Sequence, residues 1–531
     1  MTVRRPELGL FLIFLFSASF IHHPVEYDNT LSRFFLLSAV VDYGRLDIEA
    51  YKDQTIDISV AGDKTYSNKA IGAPLVAAPI YWALRRWTPI RHDAPLSPRA
   101  RRICVFLTTT VPFALLGVVM YRVLLGMGAA PINAYLAVLA YGLGTIAWIH
   151  AAMFSGHQVA ANFAFFSFAC LHGRADGDRW KFLGAGCLAG LAALSDYTAI
   201  FLAILLAAYA MAVTSRWPTR AAFLAGVALC GVVLAAYNGR CFGGAFSFSY
   251  EHLGYGDFAA GARRGFMGVA APVPESLMAL MFSPARGIFF IMPVLLLSLP
   301  GFWLWFERVH AAEGAAPDRG AGLAPWVAGA AVVGYLLINA GFYGWHGGWT
   351  FGPRYLAPIL PFLVLPLAFA LDRPWFSALF LASFLQISAA QMVMPHTPEE
   401  IRNPIAECLY PLFRYGYRSD TWGSRLRMSE LMSAVIFVSI LAALVWRTRP
   451  AASPVALPDG SQAVLAVWRP IYPLALAGII IGLFLTRSPA TVDIHTYNSR
   501  LLASLAGATG SEALSAAALQ EARRSPRGIL P

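Results

Sequence analysis

Apolar runs long enough to cross a bilayer recur along almost the whole of this 531-residue chain. A helix needs about 20 consecutive apolar residues to span a hydrocarbon core of about 30 Å. Runs of that kind stand at 104–125, 220–237, 287–305, 324–342, 355–371, 374–394, 430–446 and 470–486. Weaker or longer ones cover 8–22, 70–85, 131–172 and 182–214, and the last two have room for two helices each. In lipid every backbone N–H and C=O must be satisfied within the protein, which leaves helices as the way to use such runs. Charged residues are only 13% of the chain and hydrophobic ones 58%, where a soluble domain carries about 25% charged. The expected fold is an all-α polytopic membrane protein of about 11–13 transmembrane helices.

The formal net charge of +11 fits loops enriched in Lys and Arg on the cytoplasmic side of a membrane. The basic clusters are Arg4–Arg5, Arg85–Arg102, Arg174–Lys181, Arg216–Arg220 and Arg447–Arg449. Placing all five inside gives a consistent alternation if 131–172 crosses an odd number of times and 182–214 an even number. The loops 23–69, 238–285, 343–353 and 395–428 then fall outside. The N-terminus is cytoplasmic and the tail 488–531 is outside, following a single transmembrane domain over 1–487. No basic patch interleaved with aromatics appears, so nucleic acid is not an expected partner.

The first apolar run follows a basic start, as a signal peptide does. It lacks a small-x-small cleavage site and reads as an uncleaved span. Cys104, Cys170, Cys187 and Cys230 lie in or beside apolar segments and read as core thiols. Cys241 and Cys408 fall in outside loops, where an oxidising compartment would permit a disulfide. The connectors 311–323 and 450–463 read as cytoplasmic loops, and 511–531 as a short surface helix.

The first outside loop carries the densest charge. Between Asp28 and Lys69 stand six aspartates, three lysines and two arginines. Residues 31–43 (LSRFFLLSAVVDY) have apolar positions at helical spacing, which predicts an amphipathic helix lying in the interface. Gly44 is its expected C-cap. A less regular stretch over 45–65 holds Asp47, Asp53, Asp57 and Asp63. Ionisable groups at the membrane edge are functional candidates. Asp28 follows the first span by a few residues, so its carboxylate stands either as a general base towards a hydroxyl or as part of a helix cap, with Asn29 and Thr30. Lys69 opens an apolar segment after Tyr66-Ser67-Asn68. It is either a phosphate clamp or a lysine snorkelling to the surface.

Two further outside clusters stand out. In 341–362 (GFYGWHGGWTFGPRYLAPILPF), Tyr343, Trp345 and Trp349 alternate with glycines before Arg354. Such aromatics serve as an interfacial belt or as sugar-binding faces, and Arg354 can hold a phosphate bidentately. His346 reads as a hydrogen-bonded interfacial residue before a proton carrier. The loop after Tyr237-Asn238 offers Tyr250, Glu251, Asp257, Arg263 and Arg264. Paired arginines outside run against the usual charge bias and point to an anionic ligand or a solvated turn. His150, His157 and Asp196 interrupt apolar stretches and read as packing or helix-break positions first.

The order of these residues resembles the glycosyltransferase C superfamily. A first span, Asp28, an interfacial helix containing Arg33 and then YSNKAIGAPLVAAPIYW look like the branch of lipid A aminoarabinose transferases and polyprenyl-phosphate mannosyltransferases. That branch has an acidic base after the first span and a Lys-Pro-Pro-Leu-like motif later. Asp28 matches the first. Lys69 with Ala70-Ile71-Gly72-Ala73-Pro74 matches the second loosely, with Ile-Gly in place of Pro-Pro and Asn29 where a second acid is usual. The chain is more similar still to uncharacterised bacterial membrane proteins carrying YS-x-KAPG, FSP-x-RG and GPRYL-x-P-x-LPF. Their counterparts stand here at 66–72, 282–287 and 352–362.

The resemblance implies a glycosyltransferase of the bacterial inner membrane and cell envelope. It would move a sugar from a polyprenyl-phosphate donor to an outer-face glycan, lipid or protein by displacement at the anomeric carbon. Asp28 would be the base, with Asp57 as runner-up. Lys69, Arg354 and Arg263 or Arg264 would hold the departing phosphate. Tyr66, Tyr250, Trp345, His346 and Trp349 would line the substrate. Some superfamily members use a divalent metal, but the first loop has no tight Asp-x-Asp, so no metal or other cofactor is expected. The competing class is a transporter or flippase for a lipid-linked or anionic substrate. Transporters favour paired repeats and midplane sites, whereas this chain concentrates charge in its loops.

Overall fold

The computed structural model describes residues 5–23, 26–87, 96–172, 178–311, 319–451, 461–489 and 492–525. The chain is an all-α polytopic membrane protein. Among the described residues six helices are long and apolar enough to cross a membrane: Pro98–Gly126, Trp217–Phe242, Gly320–Ala340, Pro374–Met392, Glu430–Thr448 and Gln462–Leu485. Shorter apolar helices at Pro6–Phe20, Pro131–Gly144, Tyr197–Val213 and Arg354–Phe369 pack among them.

Contacts between distant residues set the direction of each pass. Helix α1 (Pro6–Phe20) packs antiparallel to Pro98–Gly126. Glu7 pairs with Arg122 at 2.8 Å at one end, and Glu26 pairs with Arg101 at the other. The turn after 126 and the helix ends near Arg308 share the first end, through Arg308 to the Gly128 carbonyl at 2.8 Å. Asp372 and Arg469 also meet at 2.8 Å. The tail shares the second end with the 395–428 segment, where Ser488 donates to Glu407 at 2.7 Å. Among the described residues, α1 begins at the first end and the segment after Leu485 lies at the second.

This corrects the topology expected from charge. The 23–69 and 96–102 segments lie at the same end of the bundle, because Arg101 neutralises Glu26 there. Helix α3 (Gly72–Leu84) stays at that end rather than crossing: Arg85, just past its last residue, reaches the Val41 carbonyl at 2.8 Å. It runs alongside helix α2 (Asp28–Tyr43) instead, with Tyr81 donating to Asp42 at 2.9 Å. The 131–172 segment compensates by crossing twice, out along Pro131–Gly144 and back along Gly156–Leu171. The clusters around Arg179–Lys181, Arg216–Arg220 and Arg447–Arg449 do gather at the N-terminal end.

Helix α2 ends as its sequence dictates. Gly44 takes φ +64°, and the N–H groups of Gly44 and Arg45 return to the Val40 and Ala39 carbonyls, a left-handed C-cap. The helix is not half-exposed in an interface, however. Phe34 and Leu37 pack towards Ala73, Ala77 and Phe154, while Phe35, Leu36 and Ala39 pack towards Tyr51, Tyr66 and Tyr237. Both faces are covered, so the polar residues Ser32 and Arg33 are buried with them. Cys241 and Cys408 are free, buried thiols in different hydrophobic clusters, so the disulfide does not form.

Candidate functional site: a cation-lined cavity

The loop between α2 and α3 folds into a hairpin, Ile58–Ala61 against Lys64–Ser67, closed by Gly62-Asp63 with Gly62 at φ +62°. Two-residue turns of this kind favour glycine at the positive φ. The register sets Ile58 opposite Ser67, so the residues just outside the ladder, Asp57 and Asn68, are forced together. Asp57 accepts from Asn68 Nδ2 at 3.2 Å and pairs with Lys69 Nζ at 2.9 Å. Ser32 of α2 fastens this corner, donating to the Asp57 carbonyl and meeting Ser67 Oγ, both at 2.7 Å.

Lys69 is 9% exposed. Burial brings its ammonium down to about 8, with the Asp57 charge opposing and the Arg33 and Arg354 charges adding to the fall. Burial pushes the Asp57 carboxyl up, but Lys69, Arg354 and Asn68 outweigh it and hold the group below the ordinary carboxylate value. Asp57 is therefore an ionised partner of Lys69 at neutral pH.

Arg33 reaches the same place from α2, one turn after Asn29. Its Nη1 donates to the Asn29 carbonyl at 2.6 Å and to Asn29 Oδ1, while its buried Nε has no partner among the described residues. Arg354 enters from the other side of the bundle. It contacts the Tyr355 hydroxyl at 3.4 Å, and its Nε is also buried without a partner. Two glycines allow this convergence. A Cβ on Gly72 would lie 2.4–2.6 Å from Ser195 and Leu194, and one on Gly156 would lie 2.5 Å from the Ser195 carbonyl and 2.9 Å from Arg33. The Ile-Gly of 71–72 thus has a packing reason.

Arg33 and Lys69 line a cavity of about 360 Å³, and Arg354 stands next to its lining residue Tyr355. Asn29, Arg33, Lys69, Tyr250 and Tyr355 form its polar head, beside His157 and Asp196. The opposite wall is apolar: Ile200, Phe201, Ile204, Ile338 and Phe342. Ile204 is 65% exposed, so the apolar part of the cavity reaches the outer surface of an apolar helix, Tyr197–Val213. Among the described residues no three His, Cys, Asp or Glu side chains gather as a metal site would need.

The other sequence candidates lie elsewhere. Asp28 is on the opposite side of the 55–57 strand entry. Its Oδ1 accepts from the Ile56 N–H at 3.0 Å, and it faces a separate depression of about 420 Å³ with Asp53, Thr55 and Tyr255. Tyr66 is packed edge-on against Phe242, 5.5 Å between ring centres. Arg263 and Arg264 are exposed, Arg263 on a third depression that Tyr250 also borders. Trp345, His346 and Trp349 sit on the 341–353 loop, outside the cavity. Buried Arg286 holds that loop by donating to the His346 and Gly348 carbonyls at 2.5 and 2.9 Å. His346 Nδ1 meets Glu399 at 2.8 Å. The FSPARG motif is thus a clamp on the loop that precedes Arg354. Sequence reasoning placed Lys69 and Arg354 together but passed over Arg33, Asn29 and Tyr355.

No family model matches the chain, and no curated protein matches it. Among solved structures it is similar to ArnT from Cupriavidus metallidurans bound to undecaprenyl phosphate, at 14% identity and a TM-score of 0.44 over 99% of this chain and 88% of that one. It is also similar to the archaeal oligosaccharyltransferase AglB from Archaeoglobus fulgidus in complex with an inhibitory peptide and a dolichol-phosphate. There the identity is 11% and the TM-score 0.42, over 91% of this chain and 60% of the length of AglB.

Proposed function

We propose that this protein is a membrane glycosyltransferase that takes a sugar from a polyprenyl-phosphate donor and passes it to an acceptor outside the membrane. One observation carries the reading: a buried head of Arg33 and Lys69, with Arg354 beside it, joins an apolar wall that reaches the outer surface of an apolar helix. A phosphate on a long apolar chain has that same division of chemistry. The three cations would bind the phosphate by charge-assisted hydrogen bonds and stabilise the charge it gains as the anomeric bond breaks. The apolar wall would take the first isoprene units.

The N-terminal end of the bundle carries most of the Lys and Arg clusters, which supports a cytoplasmic N-terminus and an external site. The Arg85–Arg102 cluster at the site end runs against this bias, and ion pairs of Arg101 with Glu26 and of Arg85 with Asp42 offset part of its charge. The test is transfer by purified protein in nanodiscs, supplied with polyprenyl-phosphate sugars extracted from bacterial membranes and with an envelope fraction as acceptor. Mass spectrometry should find free polyprenyl monophosphate and a glycosylated acceptor. Binding of the lipid without release of its sugar would favour a flippase instead.

A further inference from the structure

Behind the cations, two residues far apart in sequence form a pair. His157 opens the helix Gly156–Leu171, and Asp196 follows the helix Arg179–Ser195. His157 Nδ1 and Asp196 Oδ2 are 2.6 Å apart, and both residues are buried, at 7% and 8% exposure. The carboxylate is itself fixed, since its Oδ1 accepts from the Thr198 N–H at 3.1 Å and the Thr198 hydroxyl at 2.8 Å. A carboxylate on Nδ1 sets the tautomer, with the proton on Nδ1 and a lone pair on Nε2. That Nε2 is buried without a partner among the described residues. The groups facing the ring are the Tyr355 ring at 5.3 Å, the His150 ring at 6.0 Å, and the charges of Asp196, Arg354 and Arg33.

The charge count at this place points to a role. Arg33, Lys69 and Arg354 contribute three positive charges, and Asp57 and Asp196 two negative ones, a net of +1. Farther out, Arg286 stands against the solvent-exposed Glu399 and Glu400. A polyprenyl-phosphate sugar is a phosphodiester of charge −1, which this site balances with His157 neutral. Transfer leaves a phosphate monoester, about −2 near neutral pH. Balance then requires one more positive charge.

We propose that His157, positioned by Asp196, is the proton acceptor of the reaction and keeps that proton as the countercharge of the product phosphate. This rests on the glycosyltransferase reading above. The acceptor O–H bond breaks and its oxygen bonds the anomeric carbon. The bond from that carbon to the phosphate oxygen breaks, and its electron pair leaves with the phosphate. The acceptor approaches on the face from which the phosphate departs, so that one Nε2 takes the hydroxyl proton and then faces the phosphate, and the imidazolium lies between Asp196 and the phosphate. Of the two carboxylates the sequence favoured as base, Asp57 is paired with Lys69 and Asp28 faces another depression.

The test uses the full chain in nanodiscs with ¹⁵N-labelled histidine, the His157 signal assigned through His157→Gln. The probes are decaprenyl monophosphate and its methyl phosphodiester. At neutral pH the monoester should turn His157 into an imidazolium and the diester should leave it neutral. His157→Gln should weaken monoester binding by about 10- to 150-fold, the loss of one charged hydrogen bond, and leave diester binding within a few-fold. Asp196→Asn should reduce the protonated fraction with monoester bound. Diester binding also reports that each variant is folded. A neutral His157 with monoester bound, or equal weakening of both lipids, overturns the inference. If neither lipid binds the unaltered protein, the lipid-phosphate reading fails and this proposal with it.

Discussion

Lys69 is the residue whose chemistry is most exposed to test. Its ammonium is brought down to about 8 by burial, partly opposed by Asp57. The sign follows directly: the group is a cation below that value and neutral above it. Affinity for the decaprenyl methyl phosphodiester, which has no ionisation of its own in this range, should therefore fall as pH rises through 8. The slope is at most about tenfold per pH unit, until the higher value that the bound phosphate imposes is passed. Lys69→Arg should flatten this dependence, because a guanidinium keeps its charge; a flat profile in the unaltered protein would remove Lys69 from the site. Alanine at Arg33, Lys69 or Arg354 should each weaken binding of decaprenyl monophosphate by about 10- to 150-fold. Titration calorimetry would check this, and unchanged affinity in all three would empty the cavity of its proposed ligand. Asp28 gives the opposite expectation. Asparagine keeps an oxygen for the Ile56 N–H, so Asp28→Asn should lose no more than the ~0.5–1.5 kcal/mol of a neutral hydrogen bond. A drop in turnover of about 10²-fold or more would return proton transfer to Asp28.

At the scale of elements, the site depends on how closely α3 and the helix ending at Ser195 approach. Gly72 has no space for a Cβ, since the nearest atoms are backbone and Ser195 Oγ at 2.4–2.6 Å. Gly72→Ala must push the two elements apart, at a cost of about 1–3 kcal/mol for overpacking. That shift separates Lys69 from Arg33, so thermal stability and monophosphate affinity should fall together. Gly184→Ala serves as a control, because nothing lies within 4 Å of its Cβ position. An unaffected Gly72→Ala variant would mean that the contact is not maintained in the membrane. The same scale shows what the sequence could reveal. The cap at Gly44 and the helix before it are local, set by φ and by neighbours a few residues away, and were legible. The hairpin over 58–67 was not, because its period-2 pattern is short and embedded among charges. Yet that hairpin is what joins Asp57 to Lys69.

For the whole molecule, the decisive feature is which segments share an end. Cysteine substitutions at Asp53, Arg99 and Ser215, all exposed, separate the two topologies in a background whose native cysteines are replaced. A membrane-impermeant maleimide should label positions 53 and 99 from the same side of intact cells. Position 215 should react only after the membrane is opened. Labelling of 53 but not 99 would restore α3 as a crossing helix.

What the sequence determined by itself was the class: apolar runs of spanning length leave no other fold, because hydrophobicity is a property of each segment alone. It also marked Lys69 and Arg354 as candidates for a phosphate clamp, since a cation at the mouth of an apolar run is visible locally. The tertiary structure decided the rest. Residues 70–85 are apolar enough to enter a membrane, and only the packing of α3 along α2 shows that they do not cross it. Arg101 reads as a cytoplasmic anchor until Glu26 is found beside it. Arg33 looks like one polar residue in an amphipathic helix until both faces of that helix are covered. His157 and Asp196 are 39 residues apart, one at the start of a helix and the other just past the end of the next, with no shared motif. A hydrogen bond between them depends on where two helices end in space, and no periodicity along the chain records that.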